Sequence, residues 1–124
     1  MGLKTVLTID DDPAIRKLIK STLERDANIQ VIEASDGVAG FEAVKRHHPD
    51  LVLLDVMMPR QNGIDTLRDI RQDPEIALVP VILLTAFKEK DRLVPLLQQD
   101  NTDYMPKPFA LDNLVQKVRM FLAA

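Results

Sequence analysis

The sequence contains no cysteine, which excludes a disulfide framework and a thiolate metal site. It has only four glycines, and neither G-x-G-x-x-G nor G-x-x-x-x-G-K-[ST] occurs, so the signatures of dinucleotide and P-loop binding are missing. No apolar stretch approaches the roughly 18 residues of a membrane span. Lys4 and Asp10 interrupt the first apolar run too early for a signal peptide. We therefore expect a cytoplasmic protein with no membrane association.

Acidic residues outnumber basic ones, and the formal net charge is −3. This balance argues against direct binding of nucleic acid or of an anionic membrane surface. Hydrophobic residues make up 46% of the 124 residues, which favours a folded core over disorder. The length is that of one domain, so we expect a single domain over residues 1–124.

Apolar runs alternate along the sequence with segments of helical periodicity. Strands are predicted over residues 5–9, 30–34, 51–54, 79–86 and 103–108, and helices over 13–24, 36–47, 64–72, 88–99 and 110–122. The run Leu51–Leu54 has no polar alternation, which is typical of a central parallel strand covered on both faces. Repeated strand-helix units predict an α/β fold, a doubly wound parallel sheet with helices on both faces.

Two local sequence patterns lead to further predictions. In the first helix, the charged residues Arg16, Lys17, Lys20 and Glu24 share one face, which we expect to be solvated. Residues 60–63, which end in Asn-Gly, are expected to form a turn before the third helix.

Polar side chains follow four of the five predicted strands. They are Asp10 and Asp11 after the first, Asp55 after the third, Thr85 at the end of the fourth and Lys107 in the fifth. Each alone has an ordinary explanation as a cap, a turn residue or a solvated lysine. Because parallel strands end at one edge of a sheet, we expect all five to lie close together there.

That combination of side chains indicates phosphoryl chemistry. Three crowded carboxylates repel one another without a cation, and their hard oxygen ligands suit Mg²⁺ or Mn²⁺. Asp55 can attack phosphorus and form an aspartyl phosphate. Lys107 and the cation would neutralise the phosphoryl oxygens, while Thr85 supplies a hydrogen-bond donor.

The sequence resembles the receiver domain of two-component response regulators, of the chemotaxis-regulator-like type. The resemblance covers nearly the whole chain and rests on four pieces: IDDDP at 9–13, LVLLDVMMPRQNG at 51–63, LLTA at 83–86 and DYMPKPF at 103–109. It implies a flavodoxin-like fold with strand order 2-1-3-4-5.

The resemblance also implies residue roles. Asp55 would accept a phosphoryl group from a phosphohistidine of a sensor histidine kinase or phosphotransfer protein. Mg²⁺ would be bound by Asp11, Asp55 and the backbone carbonyl of Met57, with Asp10 acting largely through water. Thr85 and Lys107 would each bind a phosphoryl oxygen, Tyr104 would move inward with Thr85, and the Lys107-Pro108 peptide would be cis. Such a domain is a regulatory phosphoacceptor that assists its own phosphorylation and dephosphorylation, not an enzyme.

The sequence departs from the family pattern at several positions. Asp100-Asn101-Thr102 replaces a frequent glycine-alanine turn, although Asn also tolerates a left-handed conformation. Pro95 lies inside the predicted fourth helix, which we expect to be short, kinked or mobile. Met57 and Phe87, two residues beyond Asp55 and Thr85, are apolar and cannot orient a water, so we expect a long-lived phosphoryl group.

Alternatives remain at this stage. A small aspartate-nucleophile phosphohydrolase would use the same carboxylates but would need an inserted cap, for which the sequence has no segment. A receiver-like adaptor that is never phosphorylated would not need Asp55, Thr85 and Lys107 together. The output is expected to be a downstream effector protein or a separate output domain, with a phosphorylation-dependent homodimer as a further expectation.

Overall fold

The structure, a computed structural model, describes residues 2–58, 62–86, 95 and 101–123. The strands are β1 (Lys4–Ile9), β2 (Ile29–Ala34), β3 (Leu51–Asp55), β4 (Val81–Ala86) and β5 (Thr102–Lys107). The helices in the described ranges are α1 (Pro13–Leu23), α2 (Gly37–His47), α3 (Gly63–Gln72) and α4 (Leu111–Ala123). None of these helices is long and apolar enough to cross a bilayer.

All five strands pair in parallel in the order β2-β1-β3-β4-β5, which confirms the predicted flavodoxin-like topology. The register places Ile9 beside Leu54, Asp55 beside Leu84, and Ala86 beside Lys107. The carboxyl ends of β1, β3, β4 and β5 therefore meet at one edge of the sheet, as the sequence predicted.

Two apolar clusters cover the two faces of the sheet. Val52 and Leu54 of β3 pack with residues of α2 and α3, whereas Leu51 and Leu53 pack with residues of α1 and α4. Every residue of β3 is buried, which confirms its central position. Burying such a leucine side chain contributes about 2 kcal/mol, so this strand holds the residue that ends it in a fixed place.

Side chains at the helix starts explain where α1, α2 and α3 begin. Asp12, Asp36 and Asn62 each accept a hydrogen bond from a backbone N–H of the first turn. Asn62 therefore caps α3, and Gly63 is already helical. The predicted Asn-Gly turn is wrong at these two residues, since the side chain of Asn62 stabilises a helix start instead.

The other element boundaries differ from the predictions in small ways. β4 begins at Val81 instead of residue 79, because Val79 closes a turn by donating to the carbonyl of Ile76. The predicted fourth helix lies outside the described residues except for Pro95, which is helical and exposed. Helical spacing predicts Leu18 on the apolar face of α1 with Ile15 and Ile19, but Leu18 is 46% exposed.

A half-buried arginine connects the segments at the edge of the sheet opposite the carboxyl ends. Arg71, in the last turn of α3, donates to the carbonyls of Ala77 (2.9 Å), Val79 (2.6 Å) and Asn101 (3.0 Å), and to the Thr102 hydroxyl (2.8 Å). Burial lowers the pKa of its guanidinium. Arg71 thus fixes the segments that enter β4 and β5 against α3.

The turn before β5 takes the left-handed conformation that the sequence allowed. Asn101 has φ 66°, and its side chain donates to the carbonyl of Leu78 at 2.9 Å. Asn tolerates this region better than other non-glycine residues. The turn is therefore compatible with the absence of the usual glycine.

We predict that Arg71→Met lowers the free energy of unfolding by about 2–3 kcal/mol, because several partly buried acceptors lose a charged donor at once. Urea denaturation measures this change. Arg68→Met on the same helix is the control: Arg68 is mostly exposed and lies 3.8 Å from Asp65, so its loss should cost at most about 0.5 kcal/mol. Equal effects of the two substitutions would contradict the role given to Arg71.

Candidate functional site

The predicted site residues meet at the carboxyl edge of the sheet. Asp10 and Asp11 follow β1, Asp55 ends β3, and Thr85 and Lys107 lie near the ends of β4 and β5. Oxygen atoms of the three aspartates all lie within 4.8 Å of one another. Asp10, Asp55 and Thr85 are buried, whereas Asp11 is exposed. The site is therefore buried at Asp10, Asp55 and Thr85 and open to solvent at Asp11.

Lys107 contacts Asp55 directly. Its Nζ donates to Oδ1 of Asp55 at 2.9 Å, and the backbone N–H of Met57 donates to the same oxygen at 3.3 Å. The Asp55 side chain is 4% exposed and that of Lys107 is 35% exposed. A charged donor on a nearly buried carboxylate fixes the orientation of its oxygens, as a positioned nucleophile requires.

Asp10 lies in a less favourable environment. Burial raises its pKa from 3.8 to about 6, the backbone N–H of Asp12 opposes this shift, and the negative charge of Asp55 adds to it. Near neutral pH this carboxylate is ionised in a place that disfavours its charge. A nearby cation would relieve that cost.

The donor set fits a small divalent cation. Oδ1 of Asp10 accepts from the Asp12 N–H at 2.9 Å, but Oδ2 is buried and has no hydrogen-bond donor among the described residues. Three carboxylates face one lysine, so the site carries excess negative charge. Oxygen ligands with an exposed side for water suit Mg²⁺, which usually keeps several waters.

Gly63 allows α3 to begin directly beside Asp55. A side-chain carbon at this position would collide with the Asp55 carbonyl oxygen and would lie 2.9 Å from Cα of Val56. The Gly63 N–H donates to the Val56 carbonyl at 2.8 Å. Sequence reasoning assigned Gly63 to a turn, and only its proximity to β3 shows that the site leaves no room for a larger residue.

Thr85 and Tyr104 lie on neighbouring strands. The register pairs Leu83 with Tyr104 and Thr85 with Pro106, so the two residues are two positions apart along adjacent strands. Thr85 is 1% exposed, and Tyr104 packs partly buried against the α2 and α3 cluster. Their proposed movement stays a prediction, and Phe87 lies outside the described residues.

The structure tests two further expectations from the sequence at this edge of the sheet. The Lys107-Pro108 peptide is cis, which confirms the prediction. The expectation that Arg16 lies on a solvated face is wrong: its side chain is 16% exposed, and it donates to the Asp10 carbonyl at 2.7 Å. Helical periodicity alone could not show this contact, because it depends on the path of the β1–α1 turn.

We predict a pH-dependent effect of Asp10→Asn on metal-free stability. A carboxyl whose pKa rises on folding favours the folded state when protonated, so wild-type stability falls as pH rises from about 3.8 towards about 6. The neutral amide of Asp10→Asn does not titrate, so the variant avoids this loss of stability. Its stability advantage should therefore grow by about 2 kcal/mol between about pH 4.5 and 7.5. Urea denaturation in EDTA at both pH values tests this, and a constant difference would contradict it.

Comparison with known proteins gives a consistent result over nearly the whole chain. A family model for the response regulator receiver domain matches residues 6–119. The response regulator MprA of Mycobacterium leprae (strain TN) is 38% identical over 117 residues, 94% of this chain and 50% of that protein. The DNA-binding dual master transcriptional regulator RpaA of Synechocystis sp. (strain ATCC 27184 / PCC 6803 / Kazusa) is 35% identical over 117 residues, 94% of this chain and 48% of that protein. The chain thus spans about half the length of these relatives.

Solved structures agree with the sequence matches. The receiver domain of the Francisella response regulator 1452 has a TM-score of 0.85 at 30% identity and covers 97% of both chains. The signal receiver domain of a signal transduction histidine kinase from Syntrophus aciditrophicus has a TM-score of 0.85 at 27% identity, over 97% of this chain and 90% of that one. The acidic cluster of Asp10, Asp11 and Asp55 lies at the sheet edge described above. The chain belongs to the response regulator receiver domain family of two-component signalling.

Proposed function

We propose that the chain is a phosphoryl-accepting switch of a two-component phosphorelay, with Asp55 as the acceptor. The observation that carries this proposal is the contact of Lys107 with a nearly buried Asp55 beside two further carboxylates. A structural ion pair needs one carboxylate and one lysine, and the two further carboxylates beside this pair favour a reactive site instead. The donor of the phosphoryl group is a phosphohistidine of a sensor histidine kinase or phosphotransfer protein.

The transfer is a displacement at phosphorus. A carboxylate oxygen of Asp55 forms a P–O bond while the P–N bond of the phosphohistidine breaks, and the electron pair stays on the imidazole nitrogen. Lys107 moves from the free carboxylate to a phosphoryl oxygen, and the Thr85 hydroxyl donates to another. A bound Mg²⁺ supplies positive charge that stabilises the phosphoryl oxygens.

Asp11, Asp55 and the backbone carbonyl of Met57 would hold the cation, and Asp10 would act largely through water. Asp11 is exposed and Asp10 is buried, so the two acids would offer the cation oxygens from the open side and from the buried side of the site. Mn²⁺ can replace Mg²⁺ because it shares the preference for oxygen ligands. The protein promotes its own phosphorylation and dephosphorylation in this way without being an enzyme for free substrates.

The phosphoryl group acts by shifting Thr85 and Tyr104. Thr85 is drawn towards the new oxygens, and Tyr104, two positions away on β5, moves inward and changes the surface that a partner contacts. The output is carried by an effector protein or an output domain, and phosphorylation-dependent homodimerisation is part of the same proposal. We further propose that residues 1–124 form a single cytoplasmic domain that contacts neither nucleic acid nor membrane directly.

We predict that acetyl phosphate with Mg²⁺ adds a single phosphate to the wild-type chain, because Asp55 can attack a small phosphodonor without its kinase. Intact-mass measurement detects the adduct. Asp55→Asn and a wild-type sample in EDTA should show none. Asp50→Asn is the matched control: Asp50 accepts from the Thr5 N–H at the opposite edge of the sheet, so its loss should leave the adduct unchanged.

Two results would redirect the assignment. A folded wild-type chain that gains no phosphate would favour the unphosphorylated adaptor. An adduct that forms equally in Asp55→Asn would place the acceptor elsewhere.

We also predict that the aspartyl phosphate is long-lived, because Met57 beside Asp55 offers no polar group to orient an attacking water. Met57 is 54% exposed, so substitution there should be tolerated. Met57→Gln should shorten the lifetime, since an amide can hold a water near phosphorus. The lifetime of the aspartyl phosphate in both proteins is measured from the loss of the phosphorylated mass species after acetyl phosphate is removed. Loss of the wild-type phosphate within seconds would contradict the prediction.

A further inference from the structure

The side chain of Arg16 joins the β1–α1 turn to the edge strand β2. Its Nη1 donates to the main-chain carbonyl of Asp10 at 2.7 Å, and its Nε donates to Oε1 of Glu33 at 3.1 Å. The Arg16 side chain is 16% exposed and that of Glu33 is 31% exposed. A planar guanidinium bonded at both ends is a rigid connection, which a solvated lysine of the same charge would not provide.

The polar atoms of Asp10 are almost completely occupied by the protein. The N–H donates to the Ala34 carbonyl at 3.1 Å, the C=O accepts from Arg16, and Oδ1 accepts from the Asp12 N–H. Only Oδ2, buried and without a donor among the described residues, is left. The main chain and one carboxylate oxygen of Asp10 are thus fixed so that the other oxygen remains for the cation site.

We infer that Arg16, held by Glu33, is a positioning residue for divalent cation binding. This inference rests on the proposed function. The Arg16 guanidinium bonds Glu33 and the main-chain carbonyl of Asp10, and it thereby holds the turn that carries both Asp10 and Asp11. Groups that orient metal ligands in this way commonly change metal affinity by 10- to 100-fold when they are removed.

The electrostatic effect of Arg16 has the opposite sign, which makes the inference testable. A guanidinium near a cation site repels the cation, so deleting its charge should tighten Mg²⁺ binding if charge alone mattered. Loss of a positioning contact should weaken Mg²⁺ binding instead. The direction of the change therefore separates the two roles.

Lys20 provides a matched control on the same helix. It also pairs with a carboxylate, Glu24 at 3.0 Å, and donates to a main-chain carbonyl of β2, that of Val31 at 2.9 Å. The Lys20 contacts lie one turn further along α1, away from the acidic cluster. Lys20→Met therefore removes one charge and a similar α1–β2 connection without touching the Asp10 turn.

The experiment measures cation affinity of the unphosphorylated full chain. Free Mn²⁺ is followed by electron paramagnetic resonance, and Mg²⁺ affinity is obtained by displacement. Arg16→Met should raise the dissociation constant by about tenfold or more, whereas Lys20→Met should stay within about twofold of wild type. The Mg²⁺ concentration that gives half-maximal phosphorylation by acetyl phosphate should rise in parallel, while the rate at saturating Mg²⁺ changes little.

Arg16→Lys covers the case in which Arg16→Met does not fold. It keeps the charge but cannot bond the Asp10 carbonyl and Glu33 in the same planar arrangement, so positioning predicts weaker binding by about threefold or more, within the range for such partners. If only the charge of Arg16 mattered, the cation affinity of Arg16→Lys would equal that of the wild type.

Unchanged or tighter binding in folded Arg16→Met, or unchanged binding in Arg16→Lys where only that variant folds, would overturn the inference and leave the proposed function intact. A wild-type chain that binds neither Mn²⁺ nor Mg²⁺ would overturn both.

Discussion

Repulsion among three carboxylates at a partly buried sheet edge is the constraint on which the rest of this structure depends. Asp10, Asp11 and Asp55 bring oxygen atoms within 4.8 Å of one another, and Lys107 supplies one opposing charge. The raised pKa of Asp10 shows that burial disfavours the ionised form. Such an edge is stable only because other parts of the fold hold it, and it gains most from a bound cation.

The supports of this edge differ in kind. Next to this edge, every residue of β3 is buried between two apolar clusters, so Asp55 stands at the end of a fully buried strand. On one side, Gly63 lets α3 begin against the Asp55 carbonyl. On the other, Arg16 bonds the Asp10 carbonyl. Three different interactions therefore define the site. Apolar packing holds β3, the absence of a side chain at Gly63 admits the start of α3, and a hydrogen bond from Arg16 holds the β1–α1 turn.

The two edges of the sheet have opposite electrostatic character. At the carboxyl edge, acids lie close together and one buried oxygen has no donor among the described residues. At the other edge, Arg71 satisfies four acceptors on the segments that enter β4 and β5. Arg71 therefore anchors these strands at their entry, whereas Thr85 and Lys107 lie near their carboxyl ends.

The sequence by itself determined the element types, the parallel sheet and the residues at its carboxyl edge. Apolar runs and helical periodicity are local signals, and the carboxyl ends of parallel strands coincide by geometry, so Asp10, Asp11, Asp55, Thr85 and Lys107 could be placed together in advance. Only the tertiary structure decided which polar groups are paired and which are buried. Arg16, Asn62 and Gly63 were misassigned because helical period and turn composition do not encode the path of a turn or the distance between a helix start and a strand end. Contacts of that kind form between residues whose separation is set by folding of the whole chain.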